Sequence, residues 1–259
     1  MALTIQYCSD LHLEFPDNRK FLKANPLKPV APILVLGGDV MLFAEMHKHE
    51  DFFSYVADNF EATYWIPGNH EYYHYDAAQK IGVLNENIRS NVHLVNNITK
   101  IHGDVRLVFS TMWTKINPAN RWQIENSMND FRVIKYEGYR LSIERYNELH
   151  EECMTYLKKA ISGSAENKTA VVTHHIPTFM NYPEQYKGDV LNEAFAVELY
   201  DMIEPSNIAC WIYGHHHCNI PDYKIGNTLM LTNQMGYVKY GEHQLFNSGK
   251  TFTIGGLNI

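Results

Sequence analysis

An α/β fold is predicted for this chain by two observations. Short apolar runs alternate with longer helical stretches, and 259 residues suffice for one large domain with a substantial buried core. In chain order, residues 3–8, 33–36, 63–66, 92–95 and 105–110 are short apolar runs rich in Ile, Leu, Val, Tyr and Thr, the length and composition of buried strands. Residues 45–59 and 76–89, between them, read as helices. A long helical stretch at 142–161 precedes further strands at 170–173, 209–213, 228–231 and 251–254, with another helix expected over 193–203. No repeat or low-complexity linker interrupts the pattern, so residues 1–259 are expected to form a single domain. The segment 112–138 differs in kind. It mixes Trp113, Trp122, Phe131 and Tyr136 with Arg121, Asp130 and Arg132 at poor periodicity. An excursion of that length is either a lid or binding loop, or a surface insertion with its own small core.

Composition narrows the function classes. Hydrophobic residues make up 45% and charged residues 20%, ordinary for a globular chain. The formal charge of −7, from 22 basic against 29 acidic residues, argues against a stable nucleic-acid partner held on a basic face. A nucleotide substrate stays open, because bound divalent cations reverse the sign locally. The four cysteines form no CxxC pair and read as inert thiols in a reducing compartment. The N-terminus lacks the basic-then-apolar pattern of a signal peptide, and no apolar run approaches the roughly 20 residues of a membrane span. A cytoplasmic protein with no membrane partner is expected. Fourteen histidines is the unusual count, and several cluster.

Five places share one feature, a ligand-type polar residue directly after an apolar strand. They are Asp10-Leu11-His12, Gly38-Asp39, Gly68-Asn69-His70-Glu71, His174-His175 and Gly214-His215-His216-His217. In α/β sheets the carboxyl ends of strands form the crevice where ligands bind. Each such strand therefore aims a hard or borderline metal ligand at a common place. One coincidence of this kind is ordinary turn chemistry; five are not.

In that order, these residues resemble the calcineurin-like metallophosphoesterases, whose pattern is D-x-H, G-D, G-N-H-[DE], a later His, and G-H-x-H. The likeness spans residues 10–217 and is nearest the small bacterial and phage phosphoesterases. It implies a four-layer α/β/β/α sandwich of two mixed β-sheets, and a dinuclear-metal-dependent hydrolase of phosphomonoesters or phosphodiesters. The resemblance also implies a division of labour. Asp39 would bridge two divalent ions, Asp10, His12 and His217 would complete one site, and Asn69, His215 and a histidine of the 174/175 pair the other. His174 is favoured because it follows the strand end directly. His175 is the alternative, since family members often carry the ligand two residues before a proline, here Pro177. Mixed Asp, Asn and His donors suit manganese, iron, zinc or nickel. A hydroxide held between the metals would attack in line, with His70 assisting the leaving group.

The substrate is expected to be a small phosphorylated molecule, a nucleotide among the candidates. Asp39 is followed by Val40-Met41-Leu42-Phe43, so the G-D-x-x-D-R-G motif of protein Ser/Thr phosphatases is missing, and with it an orienter for His70 and an arginine for the phosphate. Arg132 is the expected substitute for that arginine, with Trp113 nearby to stack on an aromatic leaving group and His175 a further substrate-binding candidate. Two rival readings are weaker. His70-Glu71-Tyr72-Tyr73-His74 spells the H-E-x-x-H of zinc proteases, but that reading leaves Asp10, His12, Asp39, His215 and His217 unexplained. The fold also serves elsewhere as a non-catalytic scaffold, but only where the ligand set has decayed.

Overall fold

A computed structural model describes residues 2–162 and 168–255 of the chain. Strand β1 (Leu3–Cys8), helix α1 (Pro16–Ala24), β2 (Ile33–Leu36), α2 (Glu50–Asn59), β3 (Ala62–Trp65), β4 (Leu84–Arg89), β5 (Val92–Asn96), β6 (Ile98–His102) and β7 (Val105–Ser110) come first. The excursion then folds into α3 (Arg121–Ser127), α4 (Asp130–Val133) and a hairpin of β8 (Lys135–Tyr136) with β9 (Tyr139–Arg140). Helix α5 (Ile143–Ser162), β10 (Thr169–Thr173), α6 (Tyr200–Ile203), β11 (Cys210–Tyr213), β12 (Tyr223–Ile225), β13 (Thr228–Thr232) and β14 (Thr251–Ile254) complete the order.

The strands form two six-stranded sheets, ordered β14-β1-β2-β3-β5-β4 and β12-β13-β11-β10-β7-β6. In both, four central strands run parallel and an antiparallel strand closes each edge. Side-chain alternation sets the layers. Ile33 and Val35 of β2 meet Ala170 and Val172 of β10 in one apolar layer between the sheets. Leu34 and Leu36 point the other way, into a core closed by Phe52, Phe53 and Val56 of α2. On the second sheet, Val171 and Trp211 face outward onto Met154 and Leu157 of α5 and Ile203 of α6. Central strands buried on both faces need near-continuous apolar runs, and Ile33-Leu34-Val35-Leu36 is one. The result is the expected sandwich of two mixed sheets with helical outer layers.

One expected helix is absent and a second is broken. Residues 76–89 hold a single 3₁₀ turn at Ala77–Gln79, begun by Asp76 accepting from the Ala78 amide, and then β4. Gly82 at φ 77° breaks the stretch. Leu84 and Ile88 are four residues apart, a spacing that satisfies strand and helix periods alike, and edge pairing with β5 decides for the strand. Residues 193–203 likewise split into a 3₁₀ turn, Val190–Ala194, and the short α6. The chain between them runs beside residues 176–177, with Val197 donating to the Ile176 carbonyl at 3.0 Å and Leu199 to that of Pro177 at 2.9 Å. The expected helix 45–59 is also divided, into a 3₁₀ segment, Phe43–Lys48, and α2.

Candidate metal centre

The loops that leave β1, β2, β10, β11 and β13 are bound to one another through main-chain hydrogen bonds. Asp10, His12 and Leu13 donate to the carbonyls of Gly38, Asp39 and Val40 at 2.8–2.9 Å. Gly236 donates to Asp10 at 3.0 Å, and Gly214 to His174 at 2.9 Å. The backbone at Asp10, His12, Asp39, His215 and His217 has φ between 47° and 83°, the left-handed region that costs a side-chain-bearing residue on the order of 1 kcal/mol or more. These loops spend conformational energy to turn donors inward. Gly68 does the same by size, since a Cβ there would lie 2.2 Å from Asp39 Oδ1 and 2.6 Å from the His174 ring.

The donors meet in two groups that share Asp39. Asp10, His12, Asp39 and His217 converge in one, and Asp39, His174 and His215 in the other. Asp39 Oδ2 lies 3.7 Å from His12 Nε2, and Oδ1 lies 3.4 Å from His174 Nε2, so each oxygen faces a different group. Asn69 Oδ1 joins the second group, 3.2 Å from His174 Nε2. Asp10, His12, Asp39, Asn69 and His174 are buried almost completely. Of the neighbouring pair, His174 enters the centre; His175 packs against Trp113 behind it, its Nδ1 3.2 Å from the Thr111 carbonyl.

The donor chemistry fits divalent cations. His12 and His217 bring their Nε2 atoms within 2.9 Å of each other, and His174 Nε2 lies 3.1 Å from His215 Nδ1. Two facing ring nitrogens either share a proton in an N–H···N hydrogen bond or both turn lone pairs to a cation between them. In three of the four rings the opposite nitrogen is committed: His12 Nδ1 to Glu14 at 3.0 Å, His217 Nδ1 to Glu242 at 2.7 Å and His174 Nδ1 to the Gly37 carbonyl at 2.9 Å. Donating one N–H outward leaves the other nitrogen's lone pair aimed inward, the arrangement of metal-bound histidine. The local field agrees. Burial opposes charge on His174, but Asp39 outweighs it and raises the imidazole to about 9. Burial likewise opposes charge on His217, and Asp10 then Glu242 raise it to about 10.

His70 opens onto the same cleft. Its Nδ1 is 2.9 Å from Glu14 Oε1, its ring stacks on Tyr73 at 4.0 Å, and Nε2 is 3.4 Å from the Tyr237 hydroxyl. Burial alone would lower its pKa; Asp39 and then Glu14 overcome that and raise it. Glu71 sits behind, accepting the amides of Asp39, Val40 and Gly68 and the Trp65 indole at 2.7–2.9 Å. Fully buried there, it ties two ligand loops together. A zinc-protease arrangement is absent, since only a 3₁₀ turn, His70–Tyr72, forms before the chain extends at Tyr73.

Four supporting residues escaped the sequence reading. Glu14 holds both His12 and His70, and its signal was position, two residues beyond a ligand in the same loop. Asp130, from the excursion, accepts from Asn69 Nδ2 at 3.0 Å and from the Tyr73 hydroxyl at 2.7 Å. Glu242 and Tyr237 arrive from a distant loop. Two other residues lie elsewhere than expected. Arg132 is exposed, its guanidinium donating to the Asn126 carbonyl, and it does not line the cleft, because α4 turns it outward while Asn129 and Val133 face in. Trp113 is 1% exposed, packed among Tyr72, Tyr146 and His175, beyond reach of a substrate.

The cleft holds about 650 Å³. Among the described residues, no helix is long and apolar enough to cross a membrane.

Comparison with known proteins accords with this geometry. The family described as calcineurin-like phosphoesterase matches residues 3–219. An uncharacterized protein of Acanthamoeba polyphaga mimivirus is 27% identical over 260 residues, covering 90% of this chain and 91% of that one. The crystal structure of a phosphopantetheinyl hydrolase from Mycobacterium tuberculosis superposes with a TM-score of 0.73 at 16% identity, covering 96% of this chain and 95% of the other. At that identity the likeness concerns the fold alone. A dimetal phosphatase from Danio rerio gives a TM-score of 0.45 at 12% identity, over 90% and 87% of the two chains.

Proposed function

The chain belongs to the calcineurin-like phosphoesterase family, and we propose that its cleft hydrolyses small phosphomonoesters or phosphodiesters with the help of two divalent cations. The observation that carries this reading is Asp39, whose two oxygens face two separate groups of donors. Asp10, His12, His217 and one oxygen of Asp39 would hold the first ion; Asn69, His174, His215 and the other oxygen would hold the second. Manganese, iron, zinc and nickel all suit such donors. When bound, a pair of this kind withdraws charge from phosphoryl oxygens and lowers the pKa of water from about 15.7 toward about 7.

The chain's own residues supply the rest. His70 stands at the cleft with Nδ1 fixed by Glu14, which leaves Nε2 to give a proton to the departing ester oxygen. The carboxylates of Asp39 and Glu14 raise its pKa against the opposing effect of burial. Proton donation of this kind contributes roughly 10²–10⁴-fold. Tyr73 stacks on the ring, and the Tyr237 hydroxyl stands at the Nε2 end, so the imidazole is held from three directions. Asp130 holds Asn69 with its oxygen toward the donors.

The test is turnover of p-nitrophenyl phosphate and bis-p-nitrophenyl phosphate by protein reconstituted with manganese. Metal-dependent release of nitrophenolate, abolished by a chelator, is expected from at least one ester. No turnover of either by protein holding two ions would replace the enzyme with a non-catalytic scaffold.

A further inference from the structure

We propose that the preferred substrate is a phosphodiester whose two ester arms are uncharged and partly apolar. This rests on the phosphoesterase reading above and narrows it. The observation is the charge of the cleft wall. Among the described residues, no lysine or arginine lines the cleft. Residues 1, 163–167 and 256–259 contain neither. The cations nearest in sequence to lining residues are engaged elsewhere, Arg132 on the Asn126 carbonyl and Lys187 in an ion pair with Glu184. The wall's ionisable groups outside the histidines and tyrosines are carboxylates: Asp189, and Glu14, Asp39 and Glu242, which are engaged with the donor groups and His70.

That distribution disfavours a monoester. With a second pKa of about 6, a phosphomonoester is largely a dianion at neutral pH. Outside the histidine rings, positive charge in this cleft is confined to the metal centre. Whatever charge extends past them lies desolvated beside carboxylates and aromatic rings, where an unpaired ion is costly. A diester carries one negative charge, and a carbon substituent takes the place of the second ionised oxygen.

The walls are built for such arms. Tyr237 packs on His12 at 4.7 Å, with Phe15 edge-on to it at 5.2 Å, on the side of the first donor group. Phe195 packs on His215 at 4.6 Å and Tyr182 lies 6.0 Å from His216, on the side of the second. Apolar surface therefore flanks both donor groups, one flank for each arm. A cleft of about 650 Å³ has the size of an organic ligand site and far exceeds what orthophosphate needs. Tyrosine hydroxyls and the amides of Asn129 and Asn192 offer hydrogen bonds to uncharged polar groups on the arms.

The reaction adds one water across one P–O bond. A new P–O bond forms to the water oxygen, and the bond to one arm breaks. That arm leaves as an alcohol carrying a proton from His70, and the other arm departs as a phosphomonoester that is not processed further.

Two measurements on manganese-loaded protein test this. The kcat/KM for bis-p-nitrophenyl phosphate should exceed that for p-nitrophenyl phosphate, which has the same leaving group, by about tenfold or more, the scale of one unpaired charge. In parallel, His70→Asn protein studied by calorimetry should bind bis-p-nitrophenyl phosphate at least about tenfold more tightly than phenyl phosphate. Equal or greater activity and affinity for the monoesters would overturn the diester assignment while leaving the phosphoesterase reading intact. Hydrolysis of neither ester, with binding of neither, would overturn both.

Discussion

Replacing Asp130 with alanine should weaken one metal site and spare the other. Asn69 is the one proposed ligand whose two terminal atoms have the same shape and opposite chemistry: Oδ1 offers a lone pair and Nδ2 does not. Asp130 decides between them by accepting Nδ2 at 3.0 Å, which leaves Oδ1 toward His174 at 3.2 Å. Without that acceptor the amide is free to turn over. Tyr73, which gives its hydroxyl to the same carboxylate oxygen at 2.7 Å, also loses its anchor. Removing a partner of this type from a metal ligand typically costs 10–100-fold in affinity, about 1.4–2.7 kcal/mol. Asp130→Asn keeps an acceptor and should fall between alanine and wild type. Calorimetric titration of manganese into chelator-treated protein gives the two dissociation constants separately. One should rise about 10–100-fold in Asp130→Ala and the other should hold. Unchanged constants, or equal weakening of both sites, would refute the orienting role. Thermal melting of the metal-free variant separates either result from general unfolding, since Asp130 is fully buried.

Other outcomes follow from the same geometry. His70→Asn should keep both ions and lose roughly 10²-fold or more on alkyl esters, with smaller losses on nitrophenyl esters, whose phenolate needs little protonation; equal losses on both would remove the acid assignment. Gly68→Ala would force a Cβ to within 2.2 Å of Asp39 Oδ1, so metal content should fall in a folded protein, and full metal content would contradict the packing. His150, far from the cleft, is held below its ordinary pKa by burial, while its Nδ1 gives a proton to the Trp113 carbonyl at 2.7 Å. The folded state therefore disfavours its charged form. Its contribution to stability is complete above the unfolded pKa of about 6.5 and is lost as pH falls below that. Melting temperatures from pH 7.5 to 5.5 should fall less steeply in His150→Gln than in wild type, and parallel slopes would exclude the residue.

The parallel strands were legible because burial on both faces writes itself as continuous apolar sequence, as in Ile33-Leu34-Val35-Leu36. Residues that end such strands were legible for the same reason, since Asp10, Asp39, His174 and His215 all follow one closely. Edge strands were harder. β4 exposes alternate polar residues and spaces Leu84 and Ile88 as a helix would, so only its pairing with β5 identifies it. The residues that hold the ligands were hardest to see. Glu14 was at least local to His12, but Asp130 is 61 residues from Asn69 and Glu242 is 25 from His217. Such partners belong to loops brought together by tertiary packing, and no local periodicity announces them. Arg132 illustrates the converse: its segment does reach the cleft, through Met128, Asn129 and Val133, yet one turn of helix faces the guanidinium away.

Counting metal ions in wild-type and Asp39→Ala protein tests the shared centre most directly. Elemental analysis after manganese saturation and removal of free metal should give two ions per wild-type chain. Only Asp39 turns an oxygen to each donor group, so Asp39→Ala should deplete both sites together. One ion per wild-type chain at saturation, or an Asp39→Ala protein that retains one ion at full occupancy, would contradict the dinuclear centre.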